Sequence, residues 1–208
     1  MNLKTFVKIS GVSNLSDARY CSGMGVDLLG FDLDPISTSS ISQHMFEEMA
    51  EWLSGVHFVG EFHKASATQI KDLVHKFPLS YVEYGNQSIT KELDSINIPK
   101  IFHITAPDDL NSPGFKETID KYSQHSEIIL IDNIKDIASA HTFDALQSLA
   151  EKYNLIVEGN LNKYNVIKIV EGLPIKGISL KGGDEIKPGL KDYNDLADVL
   201  ELLEVEEY

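Results

Sequence analysis

The chain carries a single cysteine, Cys21, in 208 residues, which excludes an intrachain disulfide and fits a reducing compartment. It lacks any apolar run near the roughly 20 residues that cross a bilayer, and Met1-Asn2-Leu3-Lys4 is not followed by the apolar core of a secretory signal. Positive charge is scarce. Lys and Arg number 18 against 32 Asp and Glu, a net charge of -14. That balance argues against nucleic acid or an anionic membrane as a principal partner. It also means that a phosphate ligand must be held by a strong local site. No Gly/Pro/Ser-rich linker divides the sequence, and no GxSxG, Walker A, GxGxxG or HExxH motif occurs in it. The expectation is a soluble cytoplasmic protein with one domain over residues 1–208, ending in a solvated acidic tail from about residue 204.

What is present is a regular alternation. Short runs rich in β-branched residues predict strands at 4–9, 28–31, 57–62, 80–83, 100–104, 127–131, 155–157 and 177–180. Segments of helical period predict helices at 15–24, 43–53, 67–77, 89–95, 115–123, 142–153, 163–170 and 193–203. Asn14, Ser42 and Asn162 are placed to cap the first, second and seventh helices by accepting an orphan backbone N–H. Alternating strands and helices favour a parallel sheet. Eight units favour closure into a (β/α)8 TIM barrel, although periodicity alone does not separate that from an open doubly wound sheet.

In such a barrel the working residues sit at the C-terminal ends of the strands, and phosphates bind near the loops after strands 7 and 8. Those loops carry Glu158-Gly159-Asn160 and Lys181-Gly182-Gly183. Glycines there admit an anion to backbone N–H groups, and Lys181 adds charge; the alternative is a tight turn beside a solvated lysine. Asp132, after the apolar strand Ile128-Ile129-Leu130-Ile131, is either a turn former or a general acid. Asp32 and Asp34 offer too few ligands for a metal, and Asp32, Asp34, Glu83 and Glu158 are candidate bases at strand ends. His103 reads as a polar rim residue, His141 as exposed and Cys21 as a small buried packing residue. The reading assigns no metal and no cofactor.

The segment 7–31, VKISGVSNLSDARYCSGMGVDLLGF, resembles the opening of phosphoribosylanthranilate isomerase. Further resemblance runs through Val59-Gly60-Glu61-Phe62, Ile98-Pro99-Lys100-Ile101-Phe102, Leu130-Ile131-Asp132, Thr142-Phe143-Asp144, Ile156-Val157-Glu158-Gly159-Asn160-Leu161-Asn162 and Pro188-Gly189-Leu190-Lys191-Asp192. The resemblance implies a TIM barrel and an aldose–ketose isomerisation in tryptophan biosynthesis, with Asp132 as general acid. It also implies a small phosphorylated ligand and a monomer or homodimer. Several working positions depart from the pattern. The family's cysteine base is Ser10, and the arginine that holds the anthranilate carboxylate is Ser39, in an uncharged stretch over 36–40. The glycine-rich loop before Thr142 becomes Ile137-Ala138-Ser139-Ala140-His141. The paired glycines after strand 7 become Gly159-Asn160, and the serine pair after strand 8 becomes Lys181-Gly182. These departures imply an impaired isomerase site, or a repurposed relative that binds a phosphorylated molecule or acts as a regulatory protein.

Overall fold

The computed structural model describes residues 2–182, 184–187 and 190–205. Eight strands, β1 (Phe6–Ser10), β2 (Leu28–Asp32), β3 (His57–Phe62), β4 (Tyr81–Tyr84), β5 (Lys100–Thr105), β6 (Ile128–Ile134), β7 (Leu155–Gly159) and β8 (Gly177–Lys181), close into a barrel in sequence order. Every neighbouring pair is parallel, and closure is made by β1 against β8, with Ser10 opposite Lys181. Helices α1 (Leu15–Gly23), α2 (Gln43–Ala50), α3 (Ala67–Val74), α4 (Thr90–Leu93), α5 (Pro113–Ser123), α6 (Ala140–Ala150), α7 (Val166–Gly172) and α8 (Asn194–Leu203) follow the strands in turn.

Local chemistry sets the helix starts. Asn14 Oδ1 accepts from Asp17 N at 2.9 Å, and Ser42 Oγ from Met45 N at 3.2 Å. Asn162 is not a helix cap: it accepts from Tyr164 N inside a turn, and α7 begins only at Val166. The expected fourth helix divides into a 3-10 turn, Gln87–Ile89, and the single turn α4. A two-stranded antiparallel sheet of β9 (Asp184–Lys187) and β10 (Leu190–Asp192), which the apolar pattern does not announce, stands between β8 and α8.

Side chains alternate in and out along each strand. Val7, Ile9, Leu29, Phe31 and Phe62 join the large apolar shell between barrel and helices. Leu28, Val59, Ile101, Ile128, Leu130 and Ile156 form a separate small core in the barrel's interior. Continuing the inward phase of the strands toward their C-terminal ends brings in Lys8, Ser10, Glu61, Glu83, His103, Asp132, Glu158 and Ser179. The barrel is therefore apolar at its floor and ionic toward its mouth. Gly30 makes room for this: a Cβ there would collide with Glu61 Oε1 and lie 3.1 Å from Lys8 Nζ.

Candidate functional site

The centre of the mouth is an ion network. Lys8 is fully buried, with Nζ 2.6 Å from Glu61 Oε1 and 2.9 Å from Glu83 Oε2. Burial alone would lower the Lys8 pKa, but the two carboxylates outweigh it and hold the ammonium charged. Glu83 receives Lys8 on one side and His103 on the other. Burial alone would raise its carboxyl, yet these cations hold it well below the usual range. Glu61 has only Lys8 as a close cation, and burial with Glu83 nearby leaves its pKa raised.

His103 bridges the network to Asp132. Its Nδ1 lies 3.1 Å from Glu83 Oε1 and its Nε2 3.1 Å from Asp132 Oδ2. Burial opposes the charged ring, but Asp132 and Glu83 outweigh it and push the imidazole up to about 10. The reciprocal effect falls on Asp132: burial would raise it, but hydrogen bonding to His103 keeps its carboxyl below the ordinary value. Asp132 is aimed by an irregularity in β6. The register with β7 shifts between Ile131 and Ile134, and Asn133 takes a left-handed φ of 54°, a conformation that Asn tolerates better than most residues. Such a bulge re-aims neighbouring side chains.

Ser10 occupies the end of β1 beside this network. Its Oγ accepts from Lys8 Nζ at 2.7 Å and lies 2.9 Å from Ser179 Oγ and 3.5 Å from Glu158 Oε2. Ser179 in turn donates to Glu158 at 2.7 Å. Beyond Ser179 opens a cavity of about 700 Å³ whose lining includes Asp132, Glu158, Gly159, Asn160, Lys181 and Gly182. Six residues singled out in the sequence thus meet at one opening, and Ser10 touches Ser179 on its wall; Gly183 lies outside the described residues. Their individual settings differ from the expectation. A Cβ on Gly159 would stand 2.6 Å from Ile134 O, so this glycine serves the close approach of β7 to β6. Lys181 is largely exposed, with Nζ 3.7 Å from Glu158 Oε1.

The loop after β2 carries a negative charge of its own. Ser37 and Ser39 both donate to Asp32 Oδ2, at 2.5 and 2.8 Å. These groups border a smaller cavity of about 490 Å³ that also touches Glu61 and His63. Asp34 is a positioning group: it accepts from Lys64 N and Ala65 N at 2.5 and 3.0 Å, pinning the loop that follows β3. Arg19, the one arginine in the sequence, lies on α1 with its guanidinium 5.8 Å from the Trp52 ring. His141 is exposed, 3.6 Å from Asp109, and Cys21 is buried.

Sequence reading alone did not single out Lys8, Glu61 or His63. The usable signal was charge in strands otherwise built from apolar residues, at the inward phase of the barrel. A lysine at the centre of Phe6-Val7-Lys8-Ile9 has no solvent to reach, so it requires buried anions.

Residues 7–202 match the family model described as N-(5'phosphoribosyl)anthranilate (PRA) isomerase. Among curated relatives, N-(5'-phosphoribosyl)anthranilate isomerase of Maridesulfovibrio salexigens is 24% identical over 199 residues, covering 94% of this chain and 96% of the relative. The Synechococcus sp. enzyme is 26% identical over 215 residues, covering 96% and 91%. The fold is also that of a phosphoribosyl anthranilate isomerase solved with reduced 1-(o-carboxyphenylamino)-1-deoxyribulose 5-phosphate, at a TM-score of 0.76, 22% identity and coverage of 95% and 97%. The Thermotoga maritima enzyme superposes with a TM-score of 0.76 at 21% identity, again over 95% and 97%.

Proposed function

The chain belongs to the N-(5'-phosphoribosyl)anthranilate isomerase family, and from that premise we propose that it is a divergent member with an impaired isomerase site, whose barrel mouth holds a small phosphorylated molecule. The observation that carries this reading is the setting of Ser10. The residue at the position of the family's base is an alcohol that accepts a hydrogen bond from the Lys8 ammonium. Proton abstraction from carbon needs a group with an available lone pair and a conjugate acid near neutral pH. A thiol of pKa about 8.5 can be tuned to that role; a serine hydroxyl without a strong base cannot. Lys8 does not serve, because Glu61 and Glu83 hold it protonated.

Two further features support the reading. Asp132, the position of the family's general acid, sits against the His103 imidazolium and is held ionised, whereas a general acid must carry a proton. Ser39, at the position of the carboxylate-binding arginine, donates to Asp32, so an anthranilate carboxylate would meet a carboxylate instead of a guanidinium. Phosphate is assigned to the larger cavity at Gly159, Asn160, Lys181 and Gly182, where Lys181 supplies the exposed cation.

A second reading rests on Glu158. Its carboxylate lines the same cavity as Asp132 and reaches Ser10 and Ser179, which places it to replace the thiolate as base. Purified protein with freshly prepared phosphoribosylanthranilate, followed by loss of anthranilate fluorescence, separates the readings. The impaired site predicts turnover at least about 10²-fold below a thiol-based member, the lower end of what a positioned base contributes. Full turnover that Glu158→Gln abolishes establishes the second reading and overturns the first. For the ligand, inorganic phosphate is expected to raise the melting temperature and Lys181→Ala to remove the rise; no shift in the unaltered protein refutes the phosphate assignment.

A further inference from the structure

His63, Glu83 and His103 come from the ends of three adjacent parts of the barrel: the turn after β3, β4 and β5. Their candidate ligand atoms all lie within 4.8 Å of one another, and the two imidazole rings meet edge to face with centroids 5.0 Å apart. Among the described residues this is the one such grouping of three histidine, cysteine or acidic side chains. One of its buried atoms, His103 Nδ1, makes no hydrogen bond, whereas Glu83 Oε2 is held by the Lys8 ammonium at 2.9 Å. The Nδ1 contact to Glu83 Oε1 at 3.1 Å is an ion-pair approach without hydrogen-bond alignment. Buried polar atoms left in this condition call for an explanation.

We infer that His63, Glu83 and His103 form a binding site for a borderline transition-metal dication such as Zn²⁺, Co²⁺ or Ni²⁺, open toward the barrel mouth. Two imidazoles and one carboxylate are the donor set that such ions take, while Mg²⁺ and Ca²⁺ prefer oxygen alone. With metal–ligand bonds of about 2.1 Å the donors must approach to roughly 3–3.5 Å. His63 is exposed, and a turn of its ring toward the mouth would supply most of that closure.

The surroundings fit the outer shell of a metal. His103 turns its second nitrogen, Nε2, to Asp132 Oδ2 at 3.1 Å, the carboxylate–histidine pairing that orients metal-bound imidazoles. Glu83 keeps its other oxygen on Lys8, and Asp34 pins the backbone immediately after His63. Charge also favours a cation: three carboxylates, Glu61, Glu83 and Asp132, stand around the site against the single ammonium of Lys8. The site does not depend on the isomerase reading, since no step of that chemistry is routed through it. The sequence could not disclose it by spacing, because the three ligands are about 20 residues apart on separate strands.

The test is a titration of the chelator-stripped full chain with Co²⁺, followed by the visible absorption of the ion, and with Zn²⁺, followed by the melting temperature. One saturable equivalent of Co²⁺ is expected, displaced by Zn²⁺ and not by excess Mg²⁺, with a melting temperature that rises with free Zn²⁺ by mass action. His63→Ala, a surface change that leaves the apo fold intact by circular dichroism, should weaken both at least about tenfold, the loss that follows even from removing an outer-shell partner. His75→Ala, on a remote exposed histidine, should change neither. No saturable uptake, or uptake equal in His63→Ala and the unaltered protein, overturns the inference.

Discussion

Replacing Lys8 by methionine is expected to cost about 3–5 kcal/mol of stability, the penalty for breaking a buried ion pair by removing one partner. For a chain of this size that corresponds to a fall in melting temperature on the order of 10 °C. The reason is asymmetric. Methionine fills most of the lysine's volume, so packing changes little, but Glu61 and Glu83 remain buried and lose the ammonium that lies 2.6 and 2.9 Å away. His103 compensates Glu83 in part; Glu61 has no second close cation. Adding Glu61→Gln to Lys8→Met should therefore recover a substantial part of the loss, because it removes a buried charge whose remaining contact is the backbone N–H of Gly11 at 3.2 Å. Urea melts of the two variants measure this. A Lys8→Met protein within about 1 kcal/mol of the unaltered chain would show that the network is not the strongly coupled unit its geometry describes.

Restoring the family's residues at the two departed positions should have the largest effect on activity. Ser10→Cys places a thiol where Lys8 Nζ already approaches the residue 10 side chain at 2.7 Å, and a neighbouring ammonium lowers a thiol's pKa and favours the thiolate. Turnover of phosphoribosylanthranilate should then rise by about 10²-fold or more, within the range a positioned base provides. Ser39→Arg addresses binding instead. A guanidinium there pairs with Asp32 in the free protein, so the gain in affinity for the anthranilate carboxylate falls below the roughly 2–5 kcal/mol of an unopposed charge pair. It should appear in KM more than in kcat. The combined variant, compared with each single one, separates the two contributions. If kcat stays at the level of the unaltered protein in the presence of Ser10→Cys, the defect lies in the acid, with Asp132 held ionised by His103, and not in the base.

Fold and site were legible in the sequence to different depths. The eight strands were found because their apolar, β-branched runs are nearly continuous, as buried parallel strands must be. Their ends were placed less well. The strands at 127–131 and 155–157 extend to Ile134 and Gly159 in the structure, because polar residues at the barrel mouth continue a strand that periodicity alone reads as finished. Asp132, Gly159, Asn160, Lys181 and Gly182 could be gathered from the rule that barrel sites lie at strand C-termini, and they do share one cavity. Lys8 and Glu61 escaped that rule because each sits below the rim, inside a run that reads as core.

The sequence by itself determined the lineage and the eight-fold alternation, since both are written in local patterns: motif blocks in order, and apolar runs separated by helical periods. It also determined that residue 10 is an alcohol and residue 39 is uncharged. Only the tertiary structure decided which charges face one another. Lys8 meets Glu61 and Glu83, and His103 stands between Glu83 and Asp132, across separations of 20 to 75 residues in the chain. The protonation of each group follows from distances of about 3 Å inside a closed barrel, where burial limits screening by water, and no local pattern in a chain encodes a distance between strands.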